Sequence, residues 1–292
     1  MTATFALPAA LVVALVSLMG LVDWRLRPRL AMPMLAGAMA AASGAFLVIV
    51  FGAAAGFALG PVRSSASMAW CQAIPLHHQV EPLVGVAASG ASVAAAFRIG
   101  RILLARRRTV RSINQGDRFS IVESTDRFAY AVPTHEGCVV VSTGLLNSLS
   151  TAERRAVFAH ERAHLQLSHH HFTLTAELAV AALPTLRPLA NQLRHATERA
   201  ADEAAARSVQ DRSVVARAIT HAVLGPATGG LSSLGGGSVP RRVEALLWPQ
   251  REKLASRRTS LAATSLIAMA VLGLVMQLHH FGELINHPVS YT

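Results

Sequence analysis

The sequence predicts a mainly α, polytopic membrane protein, with four transmembrane helices and one cytoplasmic α+β domain between the third and the fourth. Three observations lead there. Of the 292 residues, 52% are apolar and only 15% charged, whereas a soluble domain carries about a quarter charged residues. The apolar residues gather in four runs, each near or above the roughly 20 residues a helix needs to cross a bilayer. The positive charge, 27 Lys and Arg against 16 Asp and Glu, is arginine except for Lys253 and clusters beside those runs. A mean hydropathy of +0.40 excludes intrinsic disorder. Two cysteines, Cys71 and Cys138, exclude a disulfide framework.

The first run covers about residues 5–22 and meets no charge until Asp23. Its basic cluster, Arg25, Arg27 and Arg29, follows it, which is the reverse of a signal peptide. The second run, about 31–60, is uncharged and long enough to tilt. A polar stretch over 61–79 leads to the third, about 83–105, which ends among Arg98, Arg101 and Arg106–Arg108. The fourth, about 261–278, follows Arg257 and Arg258. Cytoplasmic loops carry the excess of arginine and lysine. That rule puts the 23–30 loop and residues 109–258 in the cytoplasm, and both termini outside. The predicted organisation is therefore 1–108 (three spans), 109–258 (cytoplasmic domain) and 259–292 (fourth span and short external tail). Cys71 and Cys138 fall on opposite sides and do not pair. One further apolar stretch, 172–193, contains Glu177, Pro184, Arg187 and Pro188. It reads as a helix packed in the cytoplasmic domain or lying at the interface, in preference to a fifth span.

The chemistry sits in the cytoplasmic segment. His160-Glu161-Arg162-Ala163-His164 is an H-E-x-x-H motif. Positions i and i+4 share one face of a helix, so both imidazoles can reach one ion, and Glu161 lies off that axis as a candidate catalytic base. A helix is expected here: Ser150 and Glu153 form a capping box, and no Gly or Pro interrupts 151–167. A catalytic zinc site wants a third protein ligand. His170 has the spacing of the extended H-E-x-x-H-x-x-G-x-x-H motif, but Leu167 stands where its turn glycine belongs, so a continuing helix carries His170 away. Glu198 is the better choice. It shares a helix face with Asp202, one turn on, which can orient a ligand histidine. Only 33 residues separate His164 from Glu198, too few for two crossings and a turn. His169–His171 read as a solvated helix end, and 225–238, rich in Gly, as a flexible loop. The strand 138–142 could be an edge that holds a substrate in extended form. For the oxyanion, His221 and Arg207 stand only as guesses.

The run Tyr130-Ala131-Val132-Pro133, then Val139–Leu146, Leu149-Ser150 and the H-E-x-x-H helix resembles the membrane-embedded zinc metallopeptidases, as do Glu198-x-x-x-Asp202 and Pro240–Glu244. These include the HtpX-type, CAAX-prenyl-protease-type and BlaR/MecR antibiotic-sensor enzymes. Three spans before the domain and one after it are similar to the BlaR/MecR arrangement, without its external penicillin-binding sensor. The resemblance implies a zincin-like protease domain with Zn2+ on His160, His164 and Glu198. Glu161 would be the base and Asp202 the orienting carboxylate. It also implies a protein substrate, either a cytoplasmic repressor in a signalling pathway or membrane proteins in housekeeping turnover. A different class of reading is a non-catalytic receptor or scaffold with a structural zinc clasp, which would have no use for Glu161. The arginine-rich surface is explained by lipid headgroups, and no nucleic-acid recognition motif is present.

Overall fold

The computed structural model describes residues 2–20, 28–59, 81–112, 118–223, 239–248, 268 and 275. The sites of Cys71, of the 225–238 loop and, apart from two positions, of the predicted fourth span lie outside the described residues. Three long helices come first: α1 (Thr2–Met19), α2 (Pro28–Leu59) and α3 (Pro82–Ser112). Two of them, over Pro28–Ala58 and Pro82–Arg111, are long and apolar enough to cross a membrane. The third runs past the predicted end at 105, because the arginines that close its apolar run are themselves good helix formers.

A small sheet follows, built from β1 (Phe119–Val122), β2 (Ala129–Val132) and β3 (Cys138–Ser142) in the order β1-β3-β2. The first pair is parallel, Phe119 opposite Val139, and the second antiparallel, Tyr130 opposite Val140. Residues 138–142 are thus the central strand and not an edge, which corrects the sequence expectation. All five are buried, as an uninterrupted apolar run packed on both faces should be. At the end of β3 the chain turns into α4 (Thr143–Ser148). Gly144 is required there, since a Cβ would overlap the Thr125 carbonyl.

The motif helix α5 (Thr151–Gln166) has the predicted bounds to within one residue. Ser150 and Glu153 form the capping box, with the Ser150 N–H 2.9 Å from Glu153 Oε2. Such a cap stabilises a helix by about 1 kcal/mol. Then come α6 (His169–Ala182), a 3-10 turn at Pro184–Leu186, α7 (Arg187–Val209), α8 (Arg212–Val223) and α9 (Val239–Leu247).

The apolar stretch 172–193 is therefore two helices, broken where Pro184 and Pro188 forbid continuation. Its apolar face is buried against the first helices of the chain. Val12, Val16, Met32, Leu35 and Met39 share one core with Ala176, Ala179, Leu186, Leu189 and Leu193. The facing surfaces of α2 and α6 are largely alanine, which allows backbones to approach closely. Polar contacts pin the same junction. Ser17 Oγ is 3.0 Å from Thr185 Oγ1, and Gln192 donates to the Gly20 carbonyl at 3.1 Å. On the other side Arg106 pairs with Glu177 at 2.9 Å, and Arg98 donates to the Ala181 carbonyl at 3.0 Å. The α6–α7 hairpin is thereby fixed to all three leading helices, and its far end carries the site.

Candidate metal centre and active site

Two helices bring the site together. Alanines on α5 and α7 allow their close packing, with Ala156, Ala163, Ala201 and Ala205 all at 1% exposure or less. That packing sets His160 and His164 of α5 against Glu198 and Asp202 of α7. The two Nε2 atoms of the histidines lie 3.1 Å apart. Glu198 straddles them, with one oxygen 3.5 Å from His160 Nε2 and the other 3.5 Å from His164 Nε2.

These separations suit an ion. Zinc bonds of about 2.0–2.2 Å at tetrahedral angles leave ligand atoms about 3.3 Å from one another. Two imidazoles and a carboxylate are also the donor chemistry zinc prefers. Among the described residues this is the group whose donor atoms converge, all within 4.8 Å.

Behind the donors, Asp202 is fully buried and its Oδ1 lies 3.0 Å from His160 Nδ1. Arg242, on α9, clasps both carboxylates. Its Nε and Nη2 donate to Asp202 at 2.7 Å each, and its Nη1 lies 2.9 Å from Glu198 Oε2. Burial works against charge on both imidazoles. Asp202 and Glu198 nonetheless hold His160 up at about 10, while burial and the neighbouring His160 push His164 down to about 3. The facing rings can share one positive charge, not two. Glu198 works the other way. Burial would raise it, but His160 and Arg242 keep it ionised well below the usual carboxylate range.

Glu161 sits beside this group without joining it. Burial pushes its carboxyl up, opposed by His160 and by the Ala131 N–H that hydrogen-bonds it. That N–H belongs to β2. Ser142 N donates to Phe128 O at 3.0 Å, so residues in phase with Phe128 face β3, and Ala129 and Ala131 point outward. The edge of β2 therefore runs alongside the motif helix.

The structure brings His160, Glu161, His164, Glu198 and Asp202 into one place and leaves His170 out of it. The reason differs from the sequence argument. The helix does not continue; it breaks at Ser168, which adopts φ 53° and ψ 38° without being glycine. His221 is engaged elsewhere, 3.0 Å from Glu153 at the far end of α5. Arg207 lines an open hollow with Asp211 and Leu247. Neither oxyanion guess is at the site. Sequence reasoning missed Arg242 and Ala131 as parts of the site, and treated His169 as solvated. The signal for Arg242 was present only as an arginine inside a run that resembled a family.

Residues 105–187 match the model of Peptidase family M48, and no curated protein and no solved structure matches the chain. The matched stretch holds the sheet, α5 and α6, while Glu198, Asp202 and Arg242 reach the same site from beyond it. The matched stretch is similar to that family, which supports a metallopeptidase.

Proposed function

We propose that the chain is an integral-membrane zinc endopeptidase that cleaves a cytoplasmic protein or the cytoplasmic part of a membrane protein. The observation that carries this reading is the convergence of His160, His164 and Glu198 at ligand spacing, with Glu161 beside them. In this reading those three hold the ion, and Asp202, fixed by Arg242, orients His160. A bound zinc supplies Lewis acidity that polarises a peptide carbonyl and makes water a better nucleophile. Glu161 takes the proton of the attacking water on a carboxylate oxygen and delivers it to the departing amine nitrogen. The outward groups of β2 other than the Ala131 N–H, namely the Ala129 N–H and the Ala129 and Ala131 carbonyls, offer an extended peptide a strand to pair with, next to that carboxylate. A structural zinc clasp has no need of Glu161, which favours catalysis over the scaffold reading.

Membrane integration rests on α2 and α3 and on the apolar side chains the latter exposes. Leu83, Val84, Val86, Val93 and Phe97 are each more than half exposed, a surface that lipid would cover. Cysteines introduced near Arg108 and at the exposed Glu244 should resist impermeant reagents in intact cells, and positions near Cys71 and His287 should react. Arg242 itself is buried, so its neighbour is the better reporter. Labelling of residue 244 from outside overturns the cytoplasmic placement.

The ligand assignment is tested by zinc content. Glu198→Ala should lower occupancy far more than His170→Ala, because only the former removes a converging donor. The reverse ranking refutes the third ligand.

A further inference from the structure

The three consecutive histidines that begin α6 have different surroundings. His171 is exposed, and His170 is half-buried with its ring against that of His171. His169 is 1% exposed. Its Nδ1 lies 2.9 Å from His164 Nδ1, and the two rings meet edge to face with centroids 4.7 Å apart. We propose that His169 is a positioning residue for His164. Its Nδ1 accepts a hydrogen bond from His164 Nδ1–H and so leaves His164 Nε2 with a free lone pair toward His160 and Glu198. The inference rests on the metal-centre reading above.

The argument is one of proton placement. Two imidazole nitrogens 2.9 Å apart hold one proton between them. Were His169 the donor, neutral His164 would carry its own proton on Nε2, aimed at His160 Nε2 only 3.1 Å away. No lone pair would then face the ion. With His164 as donor, Nε2 is bare and correctly turned. Metal-bound histidines are usually fixed through the other ring nitrogen by a carboxylate, carbonyl or water. Here the two ligand rings are served differently: His160 by the buried carboxylate of Asp202, and His164 by a buried neutral imidazole.

A second observation points the same way. Accepting at Nδ1 places the His169 proton on Nε2, and that nitrogen is buried without a hydrogen-bond partner among the described residues. An unpaired buried N–H is costly, and a histidine there for packing alone would be better replaced by leucine. The backbone also goes out of its way to deliver this ring. On a continuous helix residue 169 would lie about 140° around from residue 164. The left-handed Ser168 breaks the helix and folds His169 back onto α5. The pairs Arg106–Glu177 and Arg98 with the Ala181 carbonyl then hold α6 against α3, which fixes where its first residue sits.

The test compares His169→Leu with His169→Asn in the detergent-solubilised full chain. Leucine fills the volume without an acceptor, whereas asparagine Oδ1 falls close to the place of Nδ1 and accepts the same N–H. Zinc affinity, read by competition with a chromophoric chelator, should fall roughly 10- to 100-fold in His169→Leu and far less in His169→Asn. The visible spectrum of the cobalt-substituted protein should change in the first and not in the second. Nitrogen NMR of the zinc-loaded wild type should show His164 protonated at Nδ1, a readout that needs no variant to fold. Wild-type affinity in His169→Leu, equal loss in both variants at unchanged melting temperature, or an unprotonated His164 Nδ1 would each overturn the proposal. Should His160→Ala also leave zinc binding intact, the metal-centre reading falls and takes this role with it. A failure confined to the His169 variants leaves that reading standing.

Discussion

Glu161→Gln protein should keep its zinc and lose its proteolysis. The substitution removes a proton acceptor and leaves the volume almost unchanged. Its amide oxygen can still accept from the Ala131 N–H, so the β2 edge and α5 stay in register. None of the three converging donors is touched, and zinc content measured by atomic absorption should match wild type. A positioned general base contributes about 10²- to 10⁴-fold, so cleavage of a quenched peptide library should drop by at least the lower figure. Activity equal to wild type would remove Glu161 from the chemistry. Loss of zinc together with activity would mean that the carboxylate helps to hold the ion, a role its place outside the converging group argues against.

Much of the site was legible because its signals are local. A capping box and an unbroken run of helix formers define α5 to within a residue, and i, i+4 spacing then puts both imidazoles on one face. The place of Glu198 beside both imidazoles was also reachable, since a metal reading asks for a third donor and one acidic pair on a helix lies close enough in the chain. What could not be read lies where tertiary packing overrides local preference. Ser168 takes a left-handed conformation that costs a non-glycine residue about 1–2 kcal/mol, and nothing in the sequence around it announces a turn. Which of His169–His171 is buried depends on that turn, so reading all three as a solvated helix end failed for His169. The central position of residues 138–142 was readable in principle. Four apolar residues in succession indicate a strand covered on both faces, which an edge seldom is. The 172–193 stretch posed a different difficulty. Its apolar face is consistent with lipid or with protein, and only the structure shows that α1 and α2 cover it.

Arg242→Ala should be among the most damaging single substitutions in the part of the chain that carries the site. Asp202 has no exposed surface, and two of its hydrogen bonds come from this guanidinium. Arg242 is itself only 8% exposed and also lies 2.9 Å from Glu198. Burial raises the energy of the charged carboxylate, and the arginine offsets that by charge and by a planar pair of N–H donors. Removing one partner of a buried ion pair costs about 3–5 kcal/mol, because the other charge stays behind. For a domain of this size that lowers the melting temperature by roughly 10 °C. Lysine should rescue little, since one ammonium cannot reproduce a bidentate contact and a third bond to Glu198 at once. The decisive comparison is the double variant Arg242→Met with Asp202→Asn, which leaves no uncompensated charge at that pair. It should melt closer to wild type than Arg242→Ala does, a non-additivity that reports direct coupling between the two residues. It should still bind zinc more weakly than wild type, since the carboxylate beside His160 Nδ1 is gone. A melting temperature unchanged by Arg242→Ala would show that α9 does not hold the two carboxylates, and the clasp would have to be abandoned.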